Sequence, residues 1–93
     1  MSQISLDNSF AISKHAVFRD LDGEAVILDL GSGKYFGLNA VGARIWQLVE
    51  QHGGLRSVYD DLCREYDVEP DVVKRDLLTL LGELAQARLV EMR

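Results

Sequence analysis

His15, His52 and Cys63 carry the most reactive side chains of this chain near neutral pH. A thiol and an imidazole in contact make a nucleophile and its base. Here the three residues are far apart in sequence and no nucleophile motif surrounds Cys63, which reads instead as a small buried hydrophobe. No spacing of His, Cys, Asp or Glu matches a metal-ligand set. Gly31-Ser32-Gly33 lacks the additional glycine and the Lys-Ser/Thr end of a phosphate-cradling loop, so its glycines are turn residues. Neither an enzymatic activity nor a metal or cofactor is expected.

Recognition is better represented. Trp46 is of the type enriched at binding hot spots, although a core position is the commoner use of a tryptophan and is expected here. Tyr35 and Phe36 are neighbours on one strand and point to opposite faces. Phe36 shares its face with Leu38 and is assigned to the core, which leaves Tyr35 exposed. Lys74 and Arg75 either form a solvated face, with Arg75 paired to Asp71 at i,i+4, or meet an acidic ligand. Gly82 sits inside a helical pattern, where it costs up to about 1 kcal/mol relative to Ala. A small residue there admits either a second chain or close packing in the core.

The totals bound what these residues can serve. A chain of 93 residues is one domain, and 47% apolar residues supply a small core. No run approaches the roughly 20 apolar residues of a membrane span, and no basic-then-apolar start marks a signal peptide. A single cysteine fits a reducing compartment, and the cytoplasm is expected. The formal net charge of −5 argues against a nucleic-acid partner.

The elements that must position these residues centre on 24–46, EAVILDLGSGKYFGLNAVGARIW. Glu24–Leu30 reads as a strand with Val26, Leu28 and Leu30 on one side. The glycine turn follows, then a returning strand over Lys34–Leu38. Asn39 caps a helix over Ala40–His52, which has a stripe of Val41, Ile45, Leu48, Val49 and His52 and stops at Gly53-Gly54. Upstream, Lys14–Leu21 forms a first strand closed by an Asp22-Gly23 hairpin turn. Residues 1–12 read as a flexible arm, in which Ile4, Leu6, Phe10 and Ile12 offer an edge strand or a packing surface. Ser57 with Asp60 suggests a capping box for a second helix, with Val58, Leu62 and Tyr66 on its buried side. Pro70 opens a third helix that runs to about Ala87. Its main stripe is Val73, Leu77, Leu80, Leu81 and Leu84, with Leu78 and Gly82 on a flank. Leu89–Met92 forms a short strand or trails. The expected fold is α+β, of winged helix-turn-helix type: a three-stranded antiparallel sheet followed by three helices, over residues 13–93.

Three motifs carry a resemblance: Gly-Lys-Tyr-Phe-Gly-Leu-Asn at 33–39, Gly-Ala-Arg-Ile-Trp at 42–46, and Glu-Tyr-Asp-Val at 65–68 ahead of Pro70. Together with the order of elements, they resemble the PqqD-like family of recognition elements for ribosomally made, enzymatically modified peptides. The resemblance implies that the leader segment of a precursor adds as a strand to Lys34–Leu38, in the groove beside the third helix. The residues it assigns to peptide binding are Lys34, Tyr35, Phe36, Gly37 and Leu38 on the strand, and Lys74, Arg75, Leu78, Thr79 and Gly82 on the helix. It implies presentation of the precursor to maturation enzymes, with a leader-removing protease and a cyclase of a lasso-peptide pathway favoured over a peptide-chaperone role in pyrroloquinoline quinone assembly. DNA binding, common among winged helices, is disfavoured because Asp60, Asp61 and Glu65 make the second helix acidic.

Overall fold

The computed structural model describes residues 4–22 and 24–93. Chain order is β1 (Phe10–Ile12), β2 (Ala16–Leu21), β3 (Glu24–Asp29), β4 (Tyr35–Leu38), α1 (Ala40–His52), α2 (Leu55–Glu65), α3 (Pro70–Gln86) and β5 (Val90–Met92). The strands β2-β3-β4 form the expected antiparallel meander, and β1 pairs with β5 in a separate two-stranded sheet.

Period-two alternation divides the meander into two faces. Phe18, Ile27 and Phe36 lie side by side across the three strands, as do Ala25 and Leu38 on β3 and β4, and this face covers the helical core. The face richer in aliphatics, with Val26, Leu28 and Leu30, points away from that core, and Leu30 is exposed. The β2–β3 turn has Asp22 at φ 55°, in the left-handed region that primed hairpin turns require. Its partner Gly23 lies outside the described residues. At the β3–β4 turn Gly33 has φ 75°. Its N–H donates to the Asp29 carbonyl, and the Asp29 N–H donates to Lys34. Two residues oppose one in this G1 bulge, which needs glycine at its first position.

Helix α1 is capped as expected, with the Gly42 N–H donating to Asn39 Oδ1 at 2.8 Å. Its buried side is Ala43, Ile45, Trp46, Leu48 and Val49, and Val41 is turned outward. Trp46 is buried and stacks on Phe18 with ring centroids 6.1 Å apart, the core position expected for it. Helix α2 starts at Leu55, ahead of the expected Ser57 cap. Gly53 closes α1 at φ 76°, and the Leu55 N–H donates to the Asn8 carbonyl. This holds the fully buried Leu55 in the core and begins the helix there. In α3, Pro70 occupies the start as expected.

Within the segment 1–12, expected as a flexible arm, the structure places Leu6 and Phe10–Ile12 against the rest of the fold. Phe10 is 0% exposed, Phe10–Ile12 pairs with β5, and the Phe10 N–H donates to Gly53. Burial of this ring and closure of backbone hydrogen bonds outweigh the ordering entropy of the segment. Residues 1–3 of the arm lie outside the described residues.

Candidate peptide-binding site

Strand β4 is the outer strand of the meander, and among the described residues β3 is its only partner in that sheet. Hydrogen-bonded and non-bonded pairs alternate along an antiparallel ladder. Because the Asp29 N–H donates to Lys34, the bonded pairs that follow are Ile27 with Phe36 and Ala25 with Leu38. The intervening Tyr35 and Gly37 therefore direct their N–H and C=O groups to the open edge. That edge is a template for another strand.

A groove of about 560 Å³ runs beside this edge. Its floor is Phe36, Gly37 and Leu38, one wall is Val41, Gly42 and Ile45 of α1, and the other is Asp76, Thr79, Leu80 and Glu83 of α3. An apolar hole of about 110 Å³ adjoins it at Val41, Ile45 and Asp76 and is closed by Leu62, Tyr66, Val68 and Val72. A second stretch, bounded by Lys34, Tyr35 and Phe36 on one side and Gln86, Ala87 and Arg88 on the other, meets the groove at Phe36. Helix α3 thus runs antiparallel to β4, with Asp76 near Leu38 and Gln86 near Tyr35.

Of the residues assigned from sequence, Phe36, Gly37, Leu38 and Thr79 line the groove, and Lys34 and Tyr35 line its extension. Tyr35 is 75% exposed, as expected. The other helix residues expected at the site lie outside this lining. Leu78 is half-buried against the core. A Cβ at Gly82 would meet Ile4 at 3.9 Å, so this flank faces the N-terminal segment. Lys74 and Arg75 are exposed outside the groove, and Arg75 lies 3.5 Å from Asp76 rather than pairing with Asp71. The groove face is one helical step round, at Asp76, Thr79, Leu80 and Glu83. Leu80 belongs by periodicity to the core stripe, and the exposed Asp76 and Glu83 that flank it are the signal for a partly solvated wall.

Two of the sequence motifs meet here. The Arg44 guanidinium grips Glu65 with two hydrogen bonds, from Nε at 2.8 Å and from Nη2 at 2.7 Å. This fork lowers the Glu65 carboxyl below its ordinary value and ties α1 to the end of α2, where Tyr66 and Val68 close the apolar hole. His52 Nε2 contacts Asp61 at 2.8 Å, and His15 Nε2 lies by the Arg88 carbonyl. Both imidazoles are thus engaged away from Cys63, which packs against the core. Among the described residues no cluster of His, Cys, Asp and Glu is suited to a metal ion, and no helix is long and apolar enough to cross a membrane.

Two solved structures with bound leader peptides are similar to this chain. The solved structure of TbiB1 in complex with the TbiA(beta) leader peptide is 44% identical, covers 86% of this chain and 93% of its own, and superposes with a TM-score of 0.80. A lasso peptide synthetase B1 complexed with the leader peptide is 28% identical, with coverage of 89% and 98% and a TM-score of 0.79. Among curated proteins, none matches. The family model for coenzyme PQQ synthesis protein D matches residues 24–90, more than half of the chain, and the chain belongs to this PqqD family.

Proposed function

We propose that this protein is a leader-peptide recognition element of lasso-peptide biosynthesis. The leader of a ribosomally made precursor adds as a strand to the open edge of β4, in the groove beside α3. The observation that carries this reading is the pair of outward-directed backbone groups at Tyr35 and Gly37, beside a groove with apolar floor residues, in a chain 44% identical to one solved with a leader peptide. Backbone hydrogen bonds supply affinity that is independent of sequence, and the groove and the adjoining hole select side chains. The protein itself catalyses no step. It presents the precursor to a leader-removing protease and a cyclase, in the cytoplasm, where the precursor is made.

The test is a titration of labelled leader peptides, starting with the TbiA(beta) leader and including the leader of any precursor encoded beside this gene. Saturable binding to one of them, with no cleavage of the peptide, is expected. Failure of every leader to bind at tens of micromolar would end the proposal. A preference for the precursor of pyrroloquinoline quinone over lasso leaders would move the protein to the pathway named by its family.

A further inference from the structure

We propose, building on the leader-binding reading, that Gly37 is a specificity-determining residue: it leaves a slot on the outer face of the sheet that takes an aromatic side chain of the bound peptide. Nothing in the fold itself asks for glycine at this position. Gly33 and Gly53 have positive φ and Gly37 does not, so no left-handed backbone demands it. A Cβ at Gly37 meets nothing within 4 Å, so no neighbouring group excludes a side chain. Glycine weakens a strand interior and often marks the close approach of a ligand or another backbone. At Gly37 the approaching group has to come from outside the fold.

Side chains alternate along β4. Phe36 and Leu38 turn toward the core and the groove, and Tyr35 and Gly37 toward the outer face. A hollow of about 560 Å³ lies on that outer face, over Val17, Val26, Leu28, Tyr35 and Gly37. Cross-strand rows there run Val17–Leu28–Tyr35 and Arg19–Val26–Gly37. The first row ends at the open edge in an exposed ring, and the second ends in a gap. An added antiparallel strand sets one residue opposite Gly37 and, two residues further on, another opposite Tyr35, with both side chains on the outer face. The residue opposite Gly37 has only glycine between its own backbone and Val26. Neighbouring strands lie about 4.8 Å apart, which puts Val26 roughly 9.6 Å from that backbone. A short or branched aliphatic side chain stops above Gly37. An aromatic ring crosses the glycine, covers its backbone and reaches both Val26 and the diagonal Tyr35. The occupant is therefore an aromatic residue whose two sequence neighbours turn into the groove. The hollow is continuous with the open edge at Tyr35 and Gly37, so the backbone pairing that holds the strand also places the ring. A side chain at position 37 would fill the slot and hold the ring out in water.

The test is parallel selection from a displayed library of random decapeptides on the wild-type protein, Gly37→Val and Gly37→Ala, each first shown to be folded by circular dichroism. Should Gly37→Val fail to fold, Gly37→Ala supplies the comparison. Thr79 is exposed and lines the groove, and peptides count as strand-added ligands only if Thr79→Trp, which fills the groove, abolishes their binding. Wild type is expected to select an aromatic residue at one fixed position, Gly37→Ala to select it less strongly, and Gly37→Val not at all. In a selected, end-blocked peptide, exchanging the aromatic residue for Ala should weaken binding to wild type about tenfold and to Gly37→Val less than about twofold. The Cβ at position 37 points to the outer face and leaves the edge N–H and C=O free, so loss of backbone pairing does not produce this difference. Strand-added ligands with no fixed aromatic residue, or with one whose exchange costs the same in all three proteins, would overturn the inference and leave the leader-binding reading standing. An absence of any ligand sensitive to Thr79→Trp would overturn both.

Discussion

Gly37 stands opposite Val26 in the β3–β4 ladder, in a pair that exchanges no backbone hydrogen bonds, so its N–H faces the open edge. A Cβ at Gly37 meets nothing within 4 Å. Proline is tolerated at an edge position whose N–H points outward, but it removes the donor that an added strand needs. Gly37→Pro is expected to leave the circular dichroism spectrum and most of the melting temperature in place. Leader affinity should fall about tenfold, through the lost hydrogen bond and the disturbed strand edge. A folded Gly37→Pro variant with unchanged affinity, measured by calorimetry, would remove β4 as the docking edge.

What was legible in the sequence is what local chemistry dictates. Pro70, Asn39 and Gly53 mark helix ends whatever surrounds them, and alternation fixed which strand residues share a face. Alternation cannot say which face is buried, and Ala25 and Ile27 took the core although Val26, Leu28 and Leu30 are the larger set. A three-residue strand such as Phe10–Ile12 has too little pattern to announce itself, and its partner lies at the far end of the chain. The face of α3 that lines the groove is open in the sequence for a related reason. Leu78 and Leu80 border the same stripe on opposite sides, and only the placement of β4 and Ile4 decides which of them meets the groove.

The side chains of α3 separate by experiment. Leu80 lines the groove and is partly exposed, so Leu80→Ala should weaken leader binding about tenfold if an apolar leader side chain is buried there, since such burial contributes roughly 1.5–3 kcal/mol. Leu81 is fully buried, and Leu81→Ala should cost about 2–5 kcal/mol of stability. Leu78→Ala should lower the melting temperature modestly and leave affinity alone. Chemical denaturation and leader titration on the three variants check the order, and a loss of affinity confined to Leu78→Ala would mean the groove is on the other flank.

Gly82 offers a gain. Its Cβ would make an ordinary contact with Ile4 at 3.9 Å, and glycine in a helix interior costs about 0.5–1 kcal/mol relative to alanine. Gly82→Ala should therefore raise stability by about that amount without changing leader affinity. A drop in affinity in the titration would show that the peptide approaches this side of the helix.

Acid should loosen the helical half. The hydrogen bond with His52 lowers the Asp61 carboxyl below its ordinary 3.8, and the Arg44 fork lowers Glu65 below its ordinary 4.5. A carboxyl lowered by folding stabilises the protein above its unfolded-state value, and that contribution is lost as pH falls through the folded value. Melting temperature should hold near neutrality and decline below about pH 4. The variant Asp61→Asn/Glu65→Gln should melt lower than wild type at neutral pH, with the gap closing on acidification. A gap that stays constant to low pH, read by thermal melts across the series, would show that these pairs contribute through packing alone.

The last expectation concerns the N-terminal segment. Phe10 is fully buried, and its strand is tied in from both sides: the Phe10 N–H donates to Gly53 at 2.8 Å, and the Arg93 N–H donates to Ser9 at 2.9 Å. Ser13 extends the same tie, its hydroxyl donating to the Arg88 carbonyl at 2.7 Å. Removing a buried phenyl ring from a core costs about 3–5 kcal/mol, a large part of the roughly 5–15 kcal/mol that holds a domain of ordinary stability together. Phe10→Ala should thus lower the denaturation midpoint sharply, and deletion of residues 1–12 should lower it at least as far. Phe10→Leu keeps most of the apolar volume and should recover much of the loss. Because Phe10 lies away from the β4 groove, leader affinity of the folded fraction should be unchanged in Phe10→Leu. If truncation at residue 12 instead left the midpoint where it is, the segment would be the loose arm that its composition suggests, and β1 would contribute nothing to the fold.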